Sequence, residues 1–144
     1  MDLLKQLTEG ISGRIRAQVK VRIEGEAILP TEVKLCFYRI AQEALNNVAK
    51  HSGADKVEIE ITSLPILSSR KRRKTGSNQR IFSESVSLSI RDNGRGFDPK
   101  HVVGEHLGLG IMQERASNVQ VTLSVRSKPG QGTEISLRWP KPEQ

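Results

Sequence analysis

The sequence Asp-Asn-Gly-Arg-Gly-Phe occupies residues 92–97 and directly follows a segment in which apolar and polar residues alternate. That alternation predicts a strand, which would place Asp92 at the strand end with Gly94 and Gly96 just after it. A buried carboxylate only accepts hydrogen bonds, which matches a donor such as the exocyclic amine of adenine. Glycine permits positive φ and a close approach of the backbone to a flat ligand. Asp-Asn-Gly is also a favoured tight-turn sequence, although residues 97–99 lead into a helix-like segment and not directly into a partner strand.

Five segments of the chain alternate in this way, with the period of two residues that marks a strand with one buried face. Lys, Arg, Glu, Ser and Thr stand between the apolar positions, so the opposite face is expected to contact solvent. Such clean alternation predicts a largely antiparallel sheet, because parallel strands covered on both faces have continuous apolar runs. The apolar positions are Val19, Val21 and Ile23; Val57, Ile59 and Ile61; Val86, Leu88 and Ile90; Val121, Leu123 and Val125; Ile135 and Leu137.

Two helices are predicted to cover the buried face of this sheet. The first extends from about Thr31, a candidate N-cap, to about Ser52, with Gly53 as a stop signal. The second begins near Leu107 and ends near Asn118. These elements predict an α+β fold: a two-layer α/β sandwich in which helices cover one face of a mixed, mostly antiparallel sheet of about five strands. The apolar stripe of the first helix consists of Phe37, Ile40, Ala41, Ala44, Leu45 and Val48.

The composition indicates one compact, soluble globular domain, because the chain has 144 residues, of which 35% are hydrophobic and 27% charged. The single cysteine, Cys36, cannot close a disulfide within the chain and is expected to be a small buried thiol. No apolar run approaches the roughly 20 residues of a membrane span, and the N-terminus lacks a signal-peptide pattern. A cytoplasmic location is therefore expected.

The net charge of +7 is concentrated in one stretch and does not mark the whole chain as a nucleic-acid-binding protein. Residues 64–83 carry six basic and no acidic side chains, which leaves a net charge of +1 for the remainder. About twenty residues without a helix or strand pattern inside a compact domain indicate a functional loop or disorder. We expect a mobile, solvated insertion at residues 64–84; the alternative is a docking or phosphate-binding role. The basic residues are Arg70, Lys71, Arg72, Arg73, Lys74 and Arg80.

Three polar residues converge on one edge of the long helix. Glu43 and Asn47 are four residues apart and share a face, and Lys50 lies seven residues after Glu43. A carboxylate, an amide oxygen and an ammonium group suit a magnesium–triphosphate complex, because magnesium takes hard oxygen ligands and needs few from protein. An ordinary solvated polar face explains the three residues equally well.

Two further glycine-rich motifs carry possible ligand contacts. Gly108-Leu109-Gly110 precedes the second helix, where free backbone amides and the positive end of the helix dipole favour phosphate, although a flexible cap is an equal alternative. The stretch 100–106 between the motifs would form a short lid. Residues 130–133 suit a hairpin turn, and Thr133 offers a hydroxyl that could reach the base side of the pocket.

In this order, the motifs resemble those of the ATP-binding catalytic domain of two-component sensor histidine kinases, which share the GHKL superfamily and its Bergerat fold with gyrase B, Hsp90 and MutL. Residues 42–51 resemble the N box, residues 92–97 the G1 box and residues 108–110 the G2 box; residues 132–140 also fit. The resemblance covers about residues 15–140 except the insertion. It is closest to the nitrate-sensor-like subfamily, because of the glutamate at position 43 and the very short lid.

The resemblance implies ATP and Mg²⁺ as cofactors and assigns a role to each motif residue. Asn47 would hold the magnesium, Asp92 would bind the adenine amine, and Thr133 would lie near the base. Lys50 would lie near phosphate, and Glu43 would orient or deprotonate the attacking group. The pocket would be shaped by Gly94, Gly96, Gly108, Leu109 and Gly110.

The resemblance also implies partners for the chain. In this family the phosphoacceptor histidine lies on an upstream dimerising hairpin, and no such hairpin fits before residue 19. Residues 1–18 are therefore expected to be a remnant of the connecting helix and linker, and residues 19–144 the ATP-binding domain. The expected partners are ATP, the histidine-containing dimerisation domain of a parent kinase, and a response regulator. By itself the chain is expected to be a monomer that phosphorylates nothing and contacts neither membrane nor nucleic acid.

Two other functions remain open at this point. The first is an ATP-hydrolysing conformational clamp of the gyrase type, in which Glu43 would activate water. The second is a nucleic-acid-binding module that would use the basic run at residues 70–74.

Overall fold

A computed structural model describes residues 9, 17–25, 29–67, 82–98, 100 and 108–140. The predicted opening helix, most of the basic insertion and most of the short lid lie outside these residues. The described elements are β1 (Gln18–Glu24), α1 (Thr31–Asn47), a π-helical turn (Val48–Ser52), β2 (Lys56–Leu67), β3 (Phe82–Asp92), α2 (Leu109–Asn118), β4 (Thr122–Ser127) and β5 (Thr133–Trp139).

The five strands form one sheet in the order β1-β2-β3-β5-β4. β1 pairs with β2 in parallel, because α1 forms the crossover connection between them. The other three pairings are antiparallel. This confirms the predicted α+β fold with a mixed, mostly antiparallel sheet.

The core lies between the sheet and the two helices. Phe37 and Ile40 of α1 are almost fully buried, as are Leu88 of β3 and Leu137 of β5. Met112 of α2 is 1% exposed, so the second helix completes the same apolar layer. The apolar stripe predicted for the long helix is therefore confirmed. Cys36 is buried as well, and its burial raises the pKa of the thiol, although the nearby positive charge of Arg115 opposes the shift.

The edge strand β1 departs from the prediction of a buried apolar face. Val21 is 41% exposed and Ile23 is 42% exposed. Among the described strands, β1 has a neighbour on one side only, and α1 packs on β3 and β5, which lie further from this edge of the sheet. The inner side of β1 is therefore only partly covered, which the alternation of residue types cannot reveal.

The long helix differs from prediction in its first residue and in its last turn. Thr31 is the first helical residue and not the N-cap, because Pro30 adopts an extended ψ of 148° in the capping position. The helical segment ends at Ser52 as predicted, but its final residues, Val48–Ser52, have the i→i+5 geometry of a π-helix. Gly53 ends the segment with a left-handed φ of 61°.

The strands β2 and β3 extend beyond their predicted bounds, so the prediction of a loop over residues 64–84 is wrong at both ends. Their pairing continues to Leu67 and Phe82. Pro65 conceals this extension in the sequence, because proline is unusual inside a sheet. β1 ends opposite Thr62, so among the described strands β2 has a neighbour on one side only at Pro65, and proline is tolerated there.

Among the residues that the structure describes, no helix is long and apolar enough to span a membrane.

Candidate functional site

Asp92 is the last residue of β3 and one of two polar or charged side chains that are buried in the described part of the chain. It lies in register with Thr133 on β5, and its Oδ1 accepts a hydrogen bond of 2.8 Å from the backbone N–H of Gly94. Burial raises the pKa of Asp92, while hydrogen bonds from the backbone amides of Gly94 and Thr133 act in the opposite direction. The structure thus holds a carboxylate at the sheet end, where it can accept a hydrogen bond from a ligand.

The glycines of the 92–97 segment are required by contacts within the protein. A Cβ at Gly94 would overlap the carbonyl group of Ser52, and a Cβ at Gly96 would overlap the carbonyl of Lys128. Gly96 also has a left-handed φ of 62°. The close approach predicted from these glycines is therefore to the protein's own backbone.

The peptide groups of Arg95 join three parts of the fold. Its N–H donates to the carbonyl of Ser52 at 2.8 Å, and its carbonyl accepts from the N–H of Gly130 at 2.6 Å. The end of the long helical segment, the 92–97 segment and the β4–β5 hairpin are thereby fixed relative to one another. The N-box and G1-box motifs, which are separated by about forty residues in sequence, meet at this point.

Asn93 anchors the same segment through its side chain. Its Oδ1 accepts hydrogen bonds from the backbone N–H groups of Asp55 at 2.9 Å and Lys56 at 3.0 Å. The sequence suggested only a turn-forming role for this residue. The Asp-Asn-Gly motif marked Asn93 as a residue of interest. It did not reveal which backbone groups its side chain would bind.

The polar residues predicted for one edge of the long helix lie on two different elements. Glu43 and Asn47 lie on α1, whereas Lys50 lies in the π-helical turn and is exposed. The prediction that the three residues share one edge assumed a continuous α-helix, whereas the chain has i→i+5 geometry at Lys50. Asn47 is half-buried and offers one amide oxygen, a hard ligand that fits magnesium.

Glu43 comes together with the start of α2. Gly108 is the N-cap of α2 with a left-handed φ of 64°, and a Cβ built there would lie 3.1 Å from Oε1 of Glu43. Among the described residues no side chain caps this helix end, and the amides of the first turn have no acceptors within the helix. Leu109 packs against the core, and Gly110 faces open space. A carboxylate and a set of amides that favour anions thus adjoin each other.

The hairpin between β4 and β5 adds two residues that sequence reasoning missed. Gly132 has a φ of 78°, and a Cβ there would overlap the carbonyl of Asp92. Ser127, the last residue of β4, has its Oγ 2.8 Å from Oγ1 of Thr133 and accepts a 2.8 Å hydrogen bond from the N–H of Phe97. Gly132 was assigned only to a turn, and no local pattern marked Ser127.

A cavity of about 570 Å³ lies at this end of the sheet and is bordered by Asp92 and Thr133. Its lining includes Arg91, Arg126 and Glu134, which alternate in sequence with the helix-facing residues and are in register across β3, β5 and β4. Arg91 and Glu134 form an ion pair of 2.9 Å. The cavity is therefore lined by residues from both faces of the sheet, and none of its lining residues belongs to α1 or α2.

Within the described residues, no group of three or more His, Cys, Asp or Glu side chains could hold a metal ion. His51 is exposed at the end of the π-helical turn. A magnesium site built largely from protein carboxylates is therefore absent from this part of the chain, whereas one with a single amide ligand is compatible with it.

Solved structures share this fold. The ATP-binding domain of PrrB from Mycobacterium tuberculosis is 25% identical, with a TM-score of 0.59 over 99% of this chain and 93% of that one. Histidine kinase AdeS from Acinetobacter baumannii has a TM-score of 0.66 at 11% identity, over 95% of this chain and 62% of that one.

Sequence comparison assigns the family. The family described as histidine kinase-, DNA gyrase B-, and HSP90-like ATPase matches residues 32–143, and the chain belongs to this family. The sensor histidine kinase LiaS of Bacillus subtilis is 37% identical over 72% of this chain and 24% of its own length. The sensor protein VraS of Staphylococcus saprophyticus is 30% identical over 95% of this chain and 34% of its own length.

These relatives confirm the predicted resemblance to sensor histidine kinases and support ATP as the ligand. The nitrate-sensor-like subfamily stays a prediction. The chain spans about a third or less of the length of these curated relatives.

Proposed function

We propose that this chain is the ATP-binding catalytic module of a sensor histidine kinase, which positions Mg²⁺-ATP for transfer of the γ-phosphoryl group to a histidine on a separate dimerisation domain. The phosphoryl group would pass from there to a response regulator in the cytoplasm. The single observation that carries the proposal is the buried carboxylate of Asp92 at the end of β3, beside Thr133. An acceptor in that position suits the exocyclic amine of adenine.

Phosphoryl transfer depends mainly on positioning and charge neutralisation, and several residues support that role. The start of α2 offers backbone amides to the phosphates, and Gly110 leaves open space beside them. Asn47 would supply a magnesium ligand, and Lys50, which is exposed, would approach the phosphates. Magnesium, when bound, would neutralise charge on the phosphate oxygens.

Glu43 is the candidate for orienting or deprotonating the attacking group. Its carboxylate is exposed and adjoins the start of α2, on the side where phosphates would bind. The same placement would serve a water molecule in a gyrase-type clamp, which is the second candidate function. A steady ATPase rate that falls after Glu43→Gln would favour the clamp, whereas phosphorylation of an added dimerisation domain would favour the kinase.

The experiment that tests the proposal is isothermal titration of the chain with ATP, ADP and GTP, each with and without magnesium. We expect binding of ATP and ADP, measurably weaker binding of GTP, and a dependence on magnesium that is larger for ATP than for ADP. Absence of ATP binding at millimolar nucleotide would contradict the proposal.

A further inference from the structure

The ends of three neighbouring strands place a row of polar side chains on the helix-facing side of the sheet. Asp92 of β3 is in register with Thr133 of β5, and Thr133 is in register with Ser127 of β4. In the alternation along each strand, all three lie on the same face of the sheet as buried residues such as Ile90 and Ile135. Ser127 is therefore separated from Asp92 only by Thr133.

Ser127 makes three hydrogen bonds through one hydroxyl oxygen. Its Oγ accepts from the N–H of Phe97 at 2.8 Å, donates to the carbonyl of Gly132 at 3.0 Å and lies 2.8 Å from Oγ1 of Thr133. A hydroxyl has one proton and two lone pairs. Phe97 N–H can only donate and the Gly132 carbonyl can only accept, so these two contacts use one lone pair and the proton of Ser127.

Only one proton arrangement satisfies all three contacts. With its own proton on the Gly132 carbonyl, Ser127 has one remaining lone pair for Thr133, and Thr133 must be the donor. The proton of Thr133 is then directed at Ser127, away from any ligand. Towards a ligand, Thr133 presents lone pairs alone.

The base-binding end of the site consequently consists of acceptors. The ionised carboxylate of Asp92 has no proton to donate, and the hydroxyl of Thr133 has none left. Such a pair matches an amino group, which carries two N–H donors. The same two acceptors disfavour a ligand with a carbonyl oxygen at this place, because lone pairs would face lone pairs and no hydrogen bond would form. Buried polar groups without a partner are costly.

We propose that Ser127 is a specificity-determining positioning residue, which fixes the proton of the Thr133 hydroxyl so that the site selects a purine with an exocyclic amino group over one with a carbonyl. This inference rests on the proposed function of the chain as an ATP-binding module. Ser127 acts through Thr133 and does not itself contact the nucleotide.

The test compares Kd values for ATP and GTP, by isothermal titration with magnesium, in the full chain and three variants. Ser127→Ala releases the Thr133 proton, so we expect the preference for ATP over GTP to fall at least about fivefold, as loss of one such hydrogen bond allows. Ser127→Thr keeps a hydroxyl and should keep most of the preference. Ser124→Ala is the matched control, because Ser124 is exposed on the same strand. An unchanged ATP/GTP ratio in Ser127→Ala would overturn the inference.

A double-mutant cycle distinguishes positioning from general support of the fold. In a Thr133→Val background, which has no hydroxyl to orient, Ser127→Ala should no longer change the ATP/GTP ratio. An equal change in both backgrounds would show that Ser127 does not act through Thr133.

If Ser127→Ala fails to fold, a second comparison replaces it: Thr133→Val should weaken the binding of ATP but not that of purine riboside triphosphate, which lacks the amino group. Equal weakening of both would contradict the inference. If the unmodified chain binds neither ATP nor GTP, the proposed function itself fails.

Discussion

The carboxylate of Glu43 on α1 lies against Gly108 at the start of α2: a Cβ at Gly108 would be 3.1 Å from Oε1 of Glu43. The two residues are 65 positions apart in the sequence, and their contact joins the N-box helix to the G2-box motif. Gly108 thus has two constraints, its left-handed φ of 64° and the neighbouring carboxylate.

A substitution at Gly108 should therefore cost more than the same substitution two residues later. Gly108→Ala should lower the free energy of unfolding by about 1–2 kcal/mol, because a Cβ is strained at this φ and displaces Glu43. Gly110 is helical and faces open space, so Gly110→Ala should raise it by about 0.5–1 kcal/mol. Urea denaturation of both variants checks this pair. Equal effects would mean that Gly108 is not held in the left-handed conformation.

Asn93 is predicted to stabilise the fold through its side-chain oxygen. Asn93→Ala removes the acceptor for the amides of Asp55 and Lys56, which are exposed enough to bind water instead. The expected loss is about 1 kcal/mol in the free energy of unfolding. Asn93→Asp keeps an acceptor oxygen and should lose less. If both variants are as stable as the unmodified chain, the two hydrogen bonds contribute nothing.

The basic insertion can be removed at a position that the strand register defines. Leu67 pairs with Phe82, so an Asn-Gly turn in place of residues 68–81 would close a two-residue hairpin. We predict that this replacement leaves the Kd for ATP unchanged, and titration calorimetry measures it. A large loss of affinity would place the insertion in the site. Salt-sensitive DNA binding that disappears with the replacement would instead support the nucleic-acid alternative.

The pKa of Asp92 predicts an effect of pH on the ligand-free protein. Because burial raises this pKa in the folded state, the ionised carboxylate disfavours folding at neutral pH. That penalty decreases as the pH falls through the folded-state pKa and is gone below the unfolded value of about 3.9. The unmodified chain should therefore gain stability relative to Asp92→Asn as the pH is lowered. A difference between the two that does not change with pH would contradict the raised pKa.

Asn47 is predicted to act through magnesium. Asn47→Ala should weaken ATP binding in the presence of magnesium more than in its absence, because the amide oxygen would be a metal ligand. Glu58→Ala is a suitable control, since Glu58 is exposed on β2. Parallel titrations with and without magnesium make the comparison. Equal weakening under both conditions would refute the ligand role.

The secondary structure and the order of the motifs could be predicted because they depend on local sequence. Alternation with a period of two residues predicted all five strands, and the stripe from Phe37 to Val48 predicted the long helix and its buried face. The exposure of Val21 and Ile23 could not be predicted, because it depends on the position of β1 at the sheet edge.

The details of the site depend on contacts between distant segments, which local patterns do not contain. Lys50 lies in a π-helical turn and not in the continuous α-helix that was expected, and no residue type marks such a turn. Ser127 reaches Phe97 over thirty positions of sequence. The sequence also did not reveal which residue each glycine contacts. Gly94 and Gly96 suggested contact with a ligand, whereas their close neighbours are Ser52 and Lys128.

The most direct test of this account is the affinity for ATP of the unmodified chain and of Asp92→Asn. The substitution removes the acceptor that the adenine amine would use, so ATP binding should be lost. The melting temperature without ligand should stay nearly unchanged, because relief of the buried charge offsets the altered hydrogen bonds to the backbone amides. Titration calorimetry and thermal denaturation on the same samples give both values. ATP binding of equal affinity in a folded Asp92→Asn variant would contradict the assignment of Asp92 as the residue that recognises the base.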